Sequence, residues 1–189
     1  MSEYNLKLKE DLNMDFFEVV EKRGTYRLDF KEQQIPDEDI KKIVNAGLHA
    51  PSGYNFQTTS FVIVKDKELR DKISALMPTK ATKTALVILV ALSEKKMNDA
   101  SGAGHFYFDT EDYAAAVENI MLAITAMGYA GVWMDGMSRM EGKDKEIAKI
   151  LNVPSDKTVR TIIPFGVPLN EVKQNSKKGF DERVVWNKF

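Results

Sequence analysis

Arg23 and Arg27 stand four residues apart and bracket Gly24 and Thr25, so two guanidinium forks, a hydroxyl and a glycine fall within one short segment. Guanidinium matches phosphate geometry and glycine lets backbone approach closely. Arg23-Gly24-Thr25-Tyr26-Arg27 therefore suits a clamp on an anionic group, with the second arginine reaching elsewhere on the same ligand. Taken alone, the segment reads more readily as solvated surface charge. A second candidate is the loop Ala50-Pro51-Ser52-Gly53-Tyr54-Asn55-Phe56-Gln57. Its turn formers present backbone groups, and Asn55 carries both a donor and an acceptor for a ring edge, although an ordinary turn has the same composition. The third is Gly128 to Gly136, which includes Trp133, Met134 and Asp135. Backbone amides at the end of a strand are placed to meet a planar ligand, while a helix cap followed by a hairpin-like turn is the plainer reading.

Other chemistries fall away on residue types. The chain has no cysteine, which removes thiol nucleophiles, disulfides and thiolate metal sites. Its two histidines, His49 and His105, are too few and too far apart for a His-rich metal site within one subunit. There is no P-loop, no Gly-x-Ser-x-Gly elbow, and Gly102-Ala103-Gly104 lacks the third glycine and preceding strand of a dinucleotide fingerprint. What remains is three distant segments suited to one anionic, aromatic, hydrogen-bonding ligand.

The elements that must position them read clearly. Helical patterns run over 15–22, 37–48, 67–77, 110–127 and 143–151, and strands over 60–64, 85–92, 130–134 and 159–167. Asp109-Thr110-Glu111-Asp112 reads as a capped helix start. Alternating helices and near-continuous apolar strands predict a layered α/β domain with a parallel sheet covered on both faces. The 189 residues predict one domain, 1–189, with 1–14 as a short extension. Composition is that of a globular protein, and 27 basic residues nearly balance 28 acidic ones, so no field points to nucleic acid or a membrane. The polar start lacks a secretory pattern, and the expected location is cytoplasmic. Tyr113 to Ala130 carries one charge, Glu118, but its polar residues and capped start argue for a buried helix rather than a span. The last dozen residues mix charges with Phe180, Val184, Val185, Trp186 and Phe189, an apolar load that predicts docking on this subunit or on a partner.

In this order and spacing the three segments resemble the nitroreductase family. The resemblance runs from about Phe16 to Phe189. It rests on Arg23-Gly24-Thr25-Tyr26-Arg27, on Pro51-Ser52-Gly53-Tyr54-Asn55, on Gly128 to Gly136 with Trp133, and on Lys177-Lys178-Gly179, where Gly179 takes the place of the family's usual arginine. The resemblance implies an α+β three-layer sandwich, mostly antiparallel and flanked by helices, in place of the parallel sheet. It also implies an intertwined homodimer with Thr110 to Met127 as its central helix and 177–189 as a tail docking on the partner.

The implied cofactor is FMN, with NADH or NADPH as reductant. By the same likeness Arg23, Thr25 and Lys177, with Lys178, hold the phosphate, and Gly24 admits it. Arg27 reaches the pyrimidine edge, where a fixed cation favours the reduced, anionic flavin. Pro51, Ser52, Gly53 and Asn55 come from the second subunit, and Met134, Asp135 and Gly136 lie beside the hydride-transfer atom. No catalytic side chain and no metal are expected, because the flavin accepts and passes the hydride in ping-pong turnover. The implied acceptors are nitroaromatic, quinone or similar electron-poor small molecules. Phe106, Tyr107 and Phe108 form a candidate wall of the substrate channel, or a hydrophobic staple before the long helix. Alternatives are reductive dehalogenation, enone reduction, or a non-catalytic flavin carrier or sensor.

Overall fold

The structure, a computed structural model, describes residues 14–96 and 107–189. Met1 to Asn13, most of the expected extension, and Phe106 of the aromatic run lie outside the described residues. The order is α1 (Phe16–Lys22), α2 (Asp37–Leu48), β1 (Thr59–Val64), α3 (Lys67–Leu76), α4 (Lys80–Thr84), β2 (Val87–Glu94), α5 (Asp109–Ala126), β3 (Ala130–Gly131), α6 (Gly136–Arg139), α7 (Lys143–Ile150), β4 (Lys157–Gly166) and α8 (Phe180–Arg183). The described strands form one sheet in the order β1-β2-β4-β3. Every pairing between them is antiparallel, which corrects the parallel sheet expected from the alternating pattern.

The apolar run of β2 is explained by cover on both faces rather than by strand direction. Ile88, Val90 and Leu92 pack with Ile73 of α3, Met77 just after it, Ile147 of α7 and Ile162. Val87, Leu89 and Ala91 face Ile40 and Ile43 of α2 and Val117, Ile120 and Ile124 of α5. A sheet buried on both sides loses the alternation that a half-exposed antiparallel strand shows. The result is an α+β sandwich of three layers. Among the described residues no helix is long and apolar enough to cross a membrane.

α5 buries Tyr113, Ala116, Val117, Ile120, Met121 and Ile124 against the sheet. Its opposite face, with Ala114, Ala115, Glu118 and Leu122, stays half-buried in the isolated chain. Beyond α5, the Tyr129 hydroxyl donates to Asp39 Oδ2 at 2.7 Å. Burial first, and then the hydrogen bond to this carboxylate, hold the phenol above its usual range. A raised phenol contributes stability that is complete below the unfolded value of about 10 and is lost as pH rises above it. Tyr129→Phe is expected to cost about 1 kcal/mol at neutral pH. Denaturant titrations should also show a shallower stability loss above about pH 10 than in the wild type.

The tail runs outward. Trp186 is 79% exposed and Phe180 58%, with their rings 6.1 Å apart, and Phe17 on α1 is 74% exposed.

Candidate functional site

The first segment follows directly from α1. Asp15 caps that helix in a reciprocal box with Glu18 and the helix ends at Arg23. Gly24 then passes so close to the C-terminal segment that a Cβ there would lie 2.8 Å from the Lys173 carbonyl oxygen. Gln174 Nε2 donates to the carbonyls of Val20 at 3.1 Å and Arg23 at 2.8 Å. The buried Tyr26 hydroxyl donates to Asp29 O at 2.7 Å and accepts from the amides of Leu169 and Asn170 at 2.9 and 3.1 Å. With Tyr26 turned inward, its neighbours Thr25 and Arg27 remain accessible. Gly24→Ala should force this backbone contact apart at a cost of about 1–3 kcal/mol, read as a lower denaturant midpoint.

The third segment lies alongside. The Tyr26 amide donates to Gly131 O at 3.0 Å, and Thr25 bridges Gly131 in parallel sense. The amides of Val132 and Met134 donate to Pro164 and Ile162 carbonyls at 3.2 and 3.0 Å, which extends the strand along β4. Asp135-Gly136 does not make a hairpin turn. It opens the short helix α6 instead, with the fully buried Ser138 hydroxyl donating to Asp135 O at 2.6 Å and to Arg160 O at 3.1 Å. Arg27, Thr79, Ala81 and the run Val132 to Met137 thus line one cavity of about 240 Å³. Arg27 has no ion-pair partner among the described residues, so its charge is available to a ligand. Trp133 Nε1 and Asp135 Oδ1 are buried without a hydrogen-bond partner, leaving a spare donor and a spare acceptor beside the cavity. Burial, then the nearby Asp135 carboxylate, raises the pKa of Tyr113, whose ring meets Trp133 edge-on at 6.4 Å.

The second segment stands elsewhere. Pro51 and Ser52 line a separate cavity of about 230 Å³ with Leu48, Gln57, Phe61 and Asp112. Tyr54, Asn55 and Gln57 adopt φ of 51°, 56° and 52°, a left-handed region that costs non-glycine residues and persists where the surroundings impose it. The imposing group is Asp112, 4% exposed, which accepts from Gly53 N at 2.8 Å and from the Thr58 hydroxyl at 2.6 Å. Ser52 Oγ accepts from Gln57 N at 3.0 Å and closes the loop. A Cβ on Gly53 would stand 2.3 Å from the Phe108 ring, whose centroid is 5.8 Å from that of Tyr54. Phe108 therefore packs on this loop, and Tyr107 sits under Lys95 Nζ at 5.7 Å. Neither lines the Arg27 cavity. Within one chain the structure joins the first and third segments and keeps the second apart, while Lys177 and Lys178 are exposed beyond Gln174.

Several positioning residues carry no sequence signal. A bulge opposite Ala91/Leu92 leaves Arg160 unpaired in the β2–β4 ladder. Bulges re-aim side chains, and here Arg160 pairs with Asp109, donates through Nε to Ser93 Oγ at 2.6 Å and lies 5.6 Å over the Tyr113 ring. Asp109 and Asp112, read as a helix cap, are instead tied to distant segments, and the cap position falls on Phe108. Thr79 at the cap of α4 and Ala81 in its first turn reach the cavity, which the sequence pattern did not reveal.

A model of the nitroreductase family matches residues 20–84 and 77–167. A protein of Archaeoglobus fulgidus whose name includes NAD(P)H nitroreductase is 31% identical over 145 residues, 75% of this chain and 79% of that protein. The iodotyrosine deiodinase of Thermotoga neapolitana is 24% identical over 178 residues, 80% of this chain and 88% of that protein. Among solved structures, the FMN-dependent nitroreductase of Clostridium difficile R20291 has a TM-score of 0.76 at 28% identity, covering 90% of this chain and 98% of that one. The matched residues take in all three segments and the whole sheet, and on that basis the chain belongs to the nitroreductase family.

Proposed function

We propose that the protein is an FMN-dependent oxidoreductase that passes hydride from NADH or NADPH to electron-poor small molecules such as nitroaromatics and quinones, acting as a homodimer. The observation that carries this reading is the division of the site within one chain: Arg27 and Met134 to Gly136 share a cavity, and the strained loop Pro51 to Asn55 faces another way. A second copy supplies the missing loop. The residues present fit the cofactor, because the cavity offers an unpaired cation, a spare buried donor and a spare buried acceptor to a flat ring with hydrogen-bonding edges.

FMN, when bound, supplies the ring that accepts a hydride and hands it on. Arg23 and Thr25, with Lys177 and Lys178, hold the phosphate, and Gly24 keeps the backbone close. Arg27 places a positive charge at the pyrimidine edge. Met134, Asp135 and Gly136 orient the ring, and Pro51, Ser52, Gly53 and Asn55 of the partner subunit complete the wall. Phe108, packed on Gly53, travels with that loop and serves the partner's substrate channel. The half-buried face of α5 and the exposed residues of 177–189 dock on the second copy, consistent with the cost of leaving Trp186 and Phe180 in water.

The test is to load the purified protein with FMN and mix it anaerobically with NADH and with NADPH. Rapid bleaching followed by reoxidation with a nitroaromatic or quinone is expected. Stable colour with both nucleotides would indicate a carrier or sensor, and failure to take up FMN would sink the reading. Similarity to a deiodinase favours reductive dehalogenation as a second activity, so a halophenol belongs among the acceptors.

A further inference from the structure

Glu118 is the lone charge between Tyr113 and Ala130, and none of the roles above uses it. It sits on the half-buried face of α5, where its Oε1 lies 3.5 Å from Arg23 Nε. That nitrogen is buried and makes no hydrogen bond. The carboxylate thus stands at ion-pair distance from Nε while Gln174 fixes the Arg23 carbonyl. A guanidinium is planar, so an anion beside Nε leaves the edge formed by its two terminal nitrogens for bidentate contact with a second anion. An arginine held this way also surrenders less rotamer freedom when it binds.

Resting on the assignment of Arg23 to the FMN phosphate, we propose that Glu118 is a positioning residue for that contact: it holds Arg23 by the Nε edge and turns the rest of the fork toward phosphate. This gives the one charge in the apolar stretch from Tyr113 to Ala130 a task in cofactor selection.

The experiment compares FMN with riboflavin, which lacks the phosphate, by fluorescence titration of the flavin-free, full-length protein. Glu118→Gln keeps the shape and removes the charge. FMN binding should weaken by about three- to tenfold, as for one impaired charge-assisted contact, with riboflavin binding unchanged. In an Arg23→Ala background the same substitution should have no further effect. Glu118→Ala should act in the same direction, which keeps the test available if Glu118→Gln does not fold. Unchanged or tighter FMN binding, or an equal loss for riboflavin, would overturn the role of Glu118 alone. If Arg23→Ala leaves the preference for FMN over riboflavin intact, the phosphate assignment fails, and this inference with it.

Discussion

Asp109→Ala is expected to be the most destabilising single change at the site, costing about 3–5 kcal/mol. Asp109 and Arg160 form an ion pair with side chains only 5% and 16% exposed. Removing the carboxylate leaves the guanidinium inside the protein with Ser93 as its remaining hydrogen-bond partner. For a chain of this size the loss corresponds to a thermal midpoint lower by roughly 6–20 °C. The double change Asp109→Ala/Arg160→Met removes both charges and should recover much of the loss, because an uncompensated charge rather than a missing bond dominates the penalty. A single variant within about 1 kcal/mol of the wild type would mean that the bulged Arg160 is solvated in solution. The consequence reaches function, since the Arg160 carbonyl also accepts from Ser138 and so helps fix the Asp135–Gly136 wall.

Arg27→Leu is expected to produce the largest change in chemistry. The side chain lines the cavity with Met134 to Gly136 and has no ion-pair partner among the described residues. Under the proposed function it faces the edge where negative charge builds up on hydride transfer. Loss of one preorganised donor to developing charge costs about 10²–10³ in rate. Arg27 is exposed in the single chain, so a loss of roughly 10- to 100-fold in the anaerobic rate of flavin reduction is the discounted expectation. FMN binding should fall far less, since the phosphate grip lies with other residues. An unchanged reduction rate would remove Arg27 from the pyrimidine edge.

The elements were largely legible because their signals are local. α2 begins after Pro36 and ends at Leu48, as its apolar stripe indicates. Strand direction was not legible from periodicity, since β2 is apolar on both faces in either sense. α4 spans five residues, too few for a helical period to register, and its capping pair Thr79 and Thr82 resembles any polar turn. Gly136 follows an aspartate, a hairpin signature, yet the buried Ser138 hydroxyl turns the chain into a helix.

At the site, the proximity of the first and third segments depends on a backbone bond between Tyr26 and Gly131, residues with no feature that announces it. The family pattern brought the segments together, whereas side-chain chemistry alone left each an ordinary turn or surface. Asp109 and Asp112 looked like caps because acidic residues favour a helix start. Their real partners, Arg160, Gly53 and Thr58, lie 51, 59 and 54 positions away, beyond any local pattern.

Under the proposed function each flavin site takes its arginine segment from one subunit and its Pro51–Asn55 loop from the other. Gly53→Val disables the loop, because a side chain there meets the Phe108 ring, and Arg27→Leu disables the other half. Mixed dimers carrying one subunit of each kind hold one intact site and one doubly altered site if the halves are shared. Anaerobic mixing of the purified mixed dimer with NADH or NADPH should then bleach half of the flavin sites at the wild-type rate, while both parent homodimers remain slow. A mixed dimer with no fast phase would contradict the shared site and place all three segments within a single subunit.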